Sequence, residues 1–539
     1  MAEAAAKPAA VGGGFAPFHH AAFAVLWTAT VLSNTGTWMH EVGAGWLMAT
    51  ATDSALLVAL VQTANTLPVF LLALPAGALA DLVDKRRLLV ASQAAMVAVT
   101  ATMAVVVTLG AMTPVLLLGF TLLIGVGTAL TQPAWQSIVP KLVPRPELQS
   151  AIALNSVGVN ISRAIGPAAA GFLIAWLGIA APFWINATSF AIVVAALVWW
   201  RPPAPPAATL PSERFVSAIR TGLRYARQSP PMRATLVRAV AFFLFASAYW
   251  AMLPLVARHA LGGDAALYGI LLGCVGAGAV GGATMLPALK ARVGPDRLVA
   301  LGTLGTALVL VALAAAPSQA VAAAACLVAG ASWIAVLSSL NLSAQTALPD
   351  WVRGRGLSIF VTVFFGAMSG GSLLWGQVAD AASVPAALVA AAVGAVVAVP
   401  LTWRWKLQAG AALDLAPSMH WPAPQLAQDV GHDRGPVMVT IDYQVDPARA
   451  AGFLAALNDL ARERRRDGAF AWGVFEDVAA PGRYVEYFLV ESWAEHLRQH
   501  ARITNADRVL QDAVAAFHLG DRPPQPRHLL APTQDVTPS

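Results

Sequence analysis

The sequence predicts an all-α membrane protein of twelve transmembrane helices in two six-helix repeats, followed by a C-terminal ferredoxin-like α+β domain. Composition, an internal repeat and a change of pattern near residue 436 carry that prediction. Hydrophobic residues are 58% of the 539 and charged residues only 12%, whereas soluble domains hold roughly 25% charged residues. The segments Gln136-Ser137-Ile138-Val139-Pro140 and Gln345-Thr346-Ala347-Leu348-Pro349 each close a long apolar stretch, 209 residues apart. The apolar stretches that follow carry a second pair, Gly166-Pro167 with Gly171 and Gly371 with Gly376, 205 residues apart. Two parallel repeats of about six spans are the build of a membrane carrier.

A spanning helix needs about 20 mostly apolar residues at 1.5 Å each. Twelve segments qualify: 21–48, 55–80, 88–109, 114–139, 149–177, 179–200, 235–259, 266–289, 297–315, 318–344, 355–379 and 384–404. Residues 1–17 lack a compact apolar region with a cleavage site and read as a disordered leader rather than a signal peptide. The expected organisation is therefore a six-helix bundle over 18–200, a linker over 201–234, a second bundle over 235–405, a linker over 406–435 and a domain over 436–531. The first linker opens with a proline run that cannot continue a helix. Beyond it, Phe215, Ile219, Leu223 and Ala226 share one face, which predicts an amphipathic helix at the inner membrane surface.

Charge fixes the expected orientation. Residues 1–405 carry a net +10 and 406–539 a net −4. Lys85, Arg86 and Arg87, Lys141 and Arg145, the arginines of 201–233, Lys290 to Arg297, Arg353 and Arg355, and Arg404 and Lys406 all fall in alternate loops. The opposite loops are nearly free of Lys and Arg, Arg258 excepted, so both termini are expected in the cytoplasm. Cys274 and Cys326 lie in apolar segments and suggest no disulfide framework.

The loop after the second span reads Gly77, three residues, Asp81, then Asp84, Lys85, Arg86 and Arg87. It resembles the loop motif of the major facilitator superfamily. That resemblance implies a gate: Gly77 would let a neighbouring helix approach, and Asp81 would cap or pair with it when the cytoplasmic side is shut. Leu82 stands where the family usually has Arg, and Asp84 where glycine is common. The alternative is a basic loop that only fixes topology. Ser162 and Arg163 with Gly166, Pro167 and Gly171 resemble the fifth-helix motif of exporters in that superfamily, in which the proline bends the helix and the glycines allow tight packing.

Arg163 lies near mid-span, where an arginine costs about 2.5–3.5 kcal/mol on insertion scales and so wants a partner inside the protein. Glu41 is the expected partner; His40 points about 100° away, so both should not line one narrow stripe. The two residues form a proton site, form a permanent contact fixing helix packing, or do not touch. By the resemblance, the first, fourth, seventh and tenth helices line a central cavity. This implies Asn34 and Trp38; Gln132, Trp135 and Gln136; Phe245, Tyr249 and Trp250; and Trp333, Asn341 and Gln345 as its wall, some of the aromatics serving instead as interfacial anchors. Such a wall suits a large, partly aromatic molecule.

The tail alternates over Val437–Val445, starts a helix at Asp446-Pro447 that runs to about Arg466, and has strands at Ala469–Glu476 and Tyr484–Val490 around a Pro481-Gly482 turn. A helix over Ala494–Phe517 and a strand over 526–531 complete a β-α-β-β-α-β order. With 463–469 and 493–504 it resembles the extension of the transmembrane secretion effector, or enterobactin-exporter-like, branch. The resemblance implies the fold of dimeric α+β barrel monooxygenase domains and a homodimer through it. His496 and His500 are four apart, but no third ligand is apparent in the sequence, so no metal and no cofactor are expected. No catalytic set stands out, the acidic balance disfavours nucleic acid, and no P-loop occurs. The chain reads as a secondary exporter of an amphipathic small molecule across a bacterial inner membrane, exchanging it for protons in the lipid bilayer. The alternative is a membrane-tethered sensor or enzyme centred on the tail.

Overall fold

The computed structural model describes residues 14–201, 215–408 and 414–532, with 417, 419, 422–429 and 432 excepted. The apolar part is built of long helices: α1 (Ala21–Ala51), α2 (Ala55–Leu82), α3 (Lys85–Thr108), α4 (Pro114–Ile138), α5 (Leu148–Leu177), α6 (Ala181–Trp199), α8 (Pro230–Leu255), α9 (Ala265–Ala315), α10 (Gln319–Thr346), α11 (Arg353–Ala381) and α12 (Val384–Thr402). Short polar side chains start several of them. Ser54, Asp84, Thr113, Asp264 and Ser383 each accept from a backbone N–H of the first turn. Asp84 thereby has a local job: its Oδ1 accepts from Arg87 N at 2.7 Å and opens α3.

Among the described residues ten helices are long and apolar enough to cross a membrane, not twelve. One of the ten is α9, whose 51 residues contain the two expected spans 266–289 and 297–315. At 1.5 Å per residue it would be about 75 Å long, more than twice a bilayer's hydrocarbon core. The chain instead breaks at Gly294, where φ is +76°, a backbone conformation that glycine reaches without a Cβ penalty. Helix α1 has the length but not the composition; it carries Ser33, Asn34, Thr35, Thr37, His40 and Glu41.

The sequence repeat is a packing repeat. A Cβ at Gly166 would lie 2.7 Å from Trp38 Cβ on α1, and one at its counterpart Gly371 would lie 2.5 Å from Leu244 O and closer still to Ser247 Oγ on α8. A Cβ at Gly171 would lie 2.7 Å from Ala265 O on α9, while one at Gly376 would lie 2.6 Å from Ala59 Cβ on α2. Each half thus sends one glycine pair against its own first helix and against the second helix of the other half. Helix α5 runs on through Pro167 without interruption.

Two compact units emerge. One holds the helices through α6, Leu236–Asn341 and Phe360–Arg404; the other holds α7 (Phe215–Gln228), Leu342–Ile359 and the chain from Trp405. The second unit contains β1 (Val437–Gln444), α13 (Ala450–Asp467), β2 (Ala471–Glu476), β3 (Arg483–Val490), α14 (Trp493–Arg502), α15 (Asn505–Ala515) and β4 (Pro526–Leu530). The sheet order is β2-β3-β1-β4, all neighbours antiparallel, the split arrangement that a β-α-β-β-α-β chain produces. Alternate residues of β1 and β3 are buried, with Val437, Val439, Phe453, Leu457 and Phe488 in the core. The single helix expected over 494–517 is in fact two, because Thr504 ends α14 and caps α15 in a reciprocal box with Asp507.

Helix α7 lies within the linker expected over 201–234. Phe215 and Ile219 lie outside the residues whose side chains are described, and Leu223 is exposed. Its other side is held by protein: Tyr225 is buried and donates to Ala347 O at 2.8 Å, and Arg224 pairs with Glu495 at 3.4 Å.

Candidate transport site

The polar residues of α1 meet those of α2, α8 and α9 in a small cavity of about 40 Å³. His40, Glu41, Gln62, Asn65, Trp250 and Tyr268 are among its lining residues. The Glu41 carboxylate accepts from Asn65 Nδ2 at 2.9 Å. No contact at ion-pair distance joins it to Arg163 among the described residues. Instead the Arg163 guanidinium lies over the Trp38 ring, 5.5 Å from its centroid, a cation–π geometry. In place of the expected Glu41–Arg163 contact, the acid holds Asn65 and the guanidinium holds the Trp38 ring. His40 and Glu41 do border one cavity, contrary to the helical-wheel expectation. His40 is buried edge-on to Phe183, with ring centroids 5.0 Å apart, and neither ring nitrogen has a partner among the described residues.

Three of the expected cavity aromatics come together. Trp38 on α1, Trp250 on α8 and Trp333 on α10 form a chain, with centroids 6.2 Å and then 5.4 Å apart. Tyr249 packs beside Trp250 at 5.5 Å. Around this chain the Trp250 Nε1, Tyr249 hydroxyl and Arg163 Nε are all buried and without partners among the described residues. Buried donors of this kind usually find an acceptor.

Two aromatics do not belong to this wall. Trp135 packs into an apolar cluster with Leu89, Ala134, Ile138 and Trp200. Phe245 turns toward Trp375 at 5.9 Å and toward Gly394. One sequence does not fix helix rotation, and these side chains lie on the far faces of α4 and α8. Asn34 is half-buried on α1; Gln132 and Gln136 on α4 and Asn341 and Gln345 on α10 are exposed.

The loop motif is only partly described. Asp81 is in the last turn of α2, but its side chain falls outside the described residues. A Cβ at Gly77 would meet nothing within 4 Å, so close approach does not require this glycine here. Arg86 closes the end of α6, donating from Nε to Leu197 O at 2.8 Å and from Nη2 to Val198 O at 2.6 Å. Lys85 and Arg87 stand at the start of α3. In the second half, Asp296 beside the Gly294 break pairs with buried Arg238 at 3.0 Å.

Sequence reasoning missed the other end of the bundle. Ser54 Oγ donates to Asp380 Oδ2 at 2.8 Å, joining α2 to α11. Arg258 donates to Ala49 O and sits 4.0 Å from Asp53. Arg258 was the lone basic residue on its side, and that exception was the available signal.

This arrangement of two pseudo-equivalent helix sets around a polar and aromatic centre defines a multi-pass membrane transporter of the major facilitator type. Solved structures with the same fold include the nucleoside transporter NupG, with a TM-score of 0.59 at 13% identity over 71% of this chain and 99% of that one. A bacterial homologue of the lysosomal transporter Spinster aligns with a TM-score of 0.52 at 15% identity over 72% and 97%. The family model described as transmembrane secretion effector matches residues 12–536, and the chain belongs to that family. The staphyloferrin A transporter of Staphylococcus aureus is 24% identical over 48% of this chain and 65% of its own length, just under two thirds. The multidrug efflux pump Tap of Mycolicibacterium fortuitum is 25% identical over 67% and 90%.

Proposed function

We propose that the chain exports amphipathic small molecules across a bacterial inner membrane, by alternating access coupled to proton entry, with both termini in the cytoplasm. The observation that carries this is Glu41, a carboxylate hydrogen-bonded to Asn65 in a cavity lined from both repeats. An acid held there by a neutral amide is able to take a proton on one side and release it on the other. The aromatic chain Trp38–Trp250–Trp333 with its unpaired donors supports a substrate with aromatic faces and acceptor oxygens, such as a siderophore, a drug or a lipophilic metabolite. Export is supported by the relatives, a siderophore transporter and a multidrug efflux pump. Helix α1 is the first crossing and α9 supplies two, giving twelve. The loop distribution of Lys and Arg supports a Ser54–Asp380 end that faces outside. The bundles over 18–200 and 235–405 form the carrier and 436–531 a cytoplasmic module. Pairing of two modules is supported by the sheet's open face, where Phe475 stacks on Tyr487 at 5.6 Å.

Proton movement in everted vesicles tests the reading. With a preset gradient, a substrate from a panel of siderophores and lipophilic drugs should dissipate it in wild type and not in Glu41→Gln. Dissipation retained in the variant removes Glu41 from coupling. If no compound acts and none binds the purified protein, the tail-centred reading replaces this one.

A further inference from the structure

The α+β module carries a cluster that the transport site does not use. His496 and His500 stand one turn apart on α14, and His528 comes to them from β4, where it pairs in register with Val439 of β1. One ring nitrogen from each lies within 4.8 Å of the other two. His496 Nε2 and His500 Nε2 are 3.2 Å apart, and the His496 and His528 ring centroids 4.6 Å. Metal–nitrogen bonds of about 2.0–2.1 Å at tetrahedral angles put ligand nitrogens about 3.3 Å apart.

We propose that His496, His500 and His528 bind one divalent transition-metal ion, with a fourth position open to the module's cavity. That cavity is about 280 Å³ and is bordered by His500 and His528 together with Tyr443 and Arg464. His496 is fully buried, and its Nδ1 has no partner among the described residues. Gln499, one turn along the same helix, buries an equally unpartnered Oε1. A ligating histidine characteristically donates its second N–H to such an oxygen, which fixes the ring and the tautomer. An all-imidazole donor set suits zinc, cobalt, nickel or copper rather than calcium or magnesium. The open position leaves room for water or an oxygen donor entering the cavity.

The test uses the full-length protein in detergent, purified without a polyhistidine tag and stripped with a chelator. Zinc is titrated against a chromogenic chelator, and cobalt is followed by its visible absorption. One equivalent per chain is expected, with affinity at least about 100-fold lower in His496→Asn and His528→Gln, since even outer-shell changes cost 10–100-fold. A His528→Cys variant should keep cobalt and add a thiolate-to-metal absorption band, a result that a folding defect does not produce. The proposal is overturned if wild type takes up no stoichiometric zinc or cobalt. It is equally overturned if removing all three histidines leaves affinity unchanged, or if the cysteine variant binds cobalt without the new band.

Discussion

Ser54 and Asp380 hold α2 to α11 at one end of the bundle: the serine hydroxyl donates to Oδ2 at 2.8 Å, and Leu56 N donates to Oδ1 at 3.1 Å. Ser54 also caps α2 through Leu57 N, so one short side chain both starts a helix and ties the two halves. Asp380→Ala removes both acceptors. Because the site is exposed, the loss should be about 1 kcal/mol, or roughly fivefold in the balance between closed and open forms that the proposed alternating access implies at this end. In a background with Cys274 and Cys326 replaced, Trp46→Cys should react about fivefold faster with a membrane-impermeant thiol reagent when Asp380→Ala is added. An unchanged rate would mean that this contact does not hold the end shut.

Gly171 tests whether the halves need their close approach. A Cβ there would meet Ala265 O at 2.7 Å and Ala266 Cα at 2.9 Å, both backbone atoms that cannot swing aside. Gly171→Leu should cost about 1–3 kcal/mol of packing and abolish flux, while Gly77→Ala, in open space, should leave both melting temperature and flux near wild type. Comparable flux in the two variants would show that transport does not need the close approach of α5 to α9.

The second unit makes its own prediction. The Arg502 guanidinium lies over Trp351, 4.6 Å from the ring centroid, and it pairs with Glu495 at 2.5 Å, which in turn reaches Arg224. A buried cation–π contact contributes about 2 kcal/mol. Trp351→Ala should therefore raise hydrogen exchange over 342–359 by ten- to thirtyfold in the full-length protein. Equal protection in variant and wild type would show that the contact contributes nothing.

Burial pushes the Glu463 carboxyl up to about 8, despite the opposing Arg466 beside it. A carboxyl whose folded value exceeds its unfolded one contributes stability at low pH and loses it as pH rises through the folded value. Wild type should thus weaken from about pH 4.5 toward pH 8 relative to Glu463→Gln, which cannot ionise. The variant should gain on the order of 4 kcal/mol at pH 8.5 and at most about 1 kcal/mol at pH 5, read as the difference in melting temperature of the full-length proteins. A gain of the same size at both pH values would refute titration of Glu463 as its source.

Much of this architecture is written locally. Runs of apolar residues long enough to span a bilayer, and strands that alternate with period two, depend on residues near each other in the chain. Val437–Gln444 and Arg483–Val490 therefore emerged almost where expected. The glycine pairs were legible for a similar reason, since a position that needs close backbone approach tolerates few residue types. Ser54–Asp380, Glu41–Asn65 and the turning of Phe245 toward Trp375 were not legible.

The sequence by itself determined the bilayer-spanning segments, their pseudo-repeat and the order of strands and helices in the tail, because hydrophobic length and periodicity are local quantities. Only the tertiary structure decided which side chains meet. A helix rotation of a few tens of degrees exchanges one facing residue for the next, and it is long-range packing that sets that angle. So Arg163 found Trp38 instead of Glu41, and two residues on one helix gained a third histidine from a strand 28 residues farther along the chain.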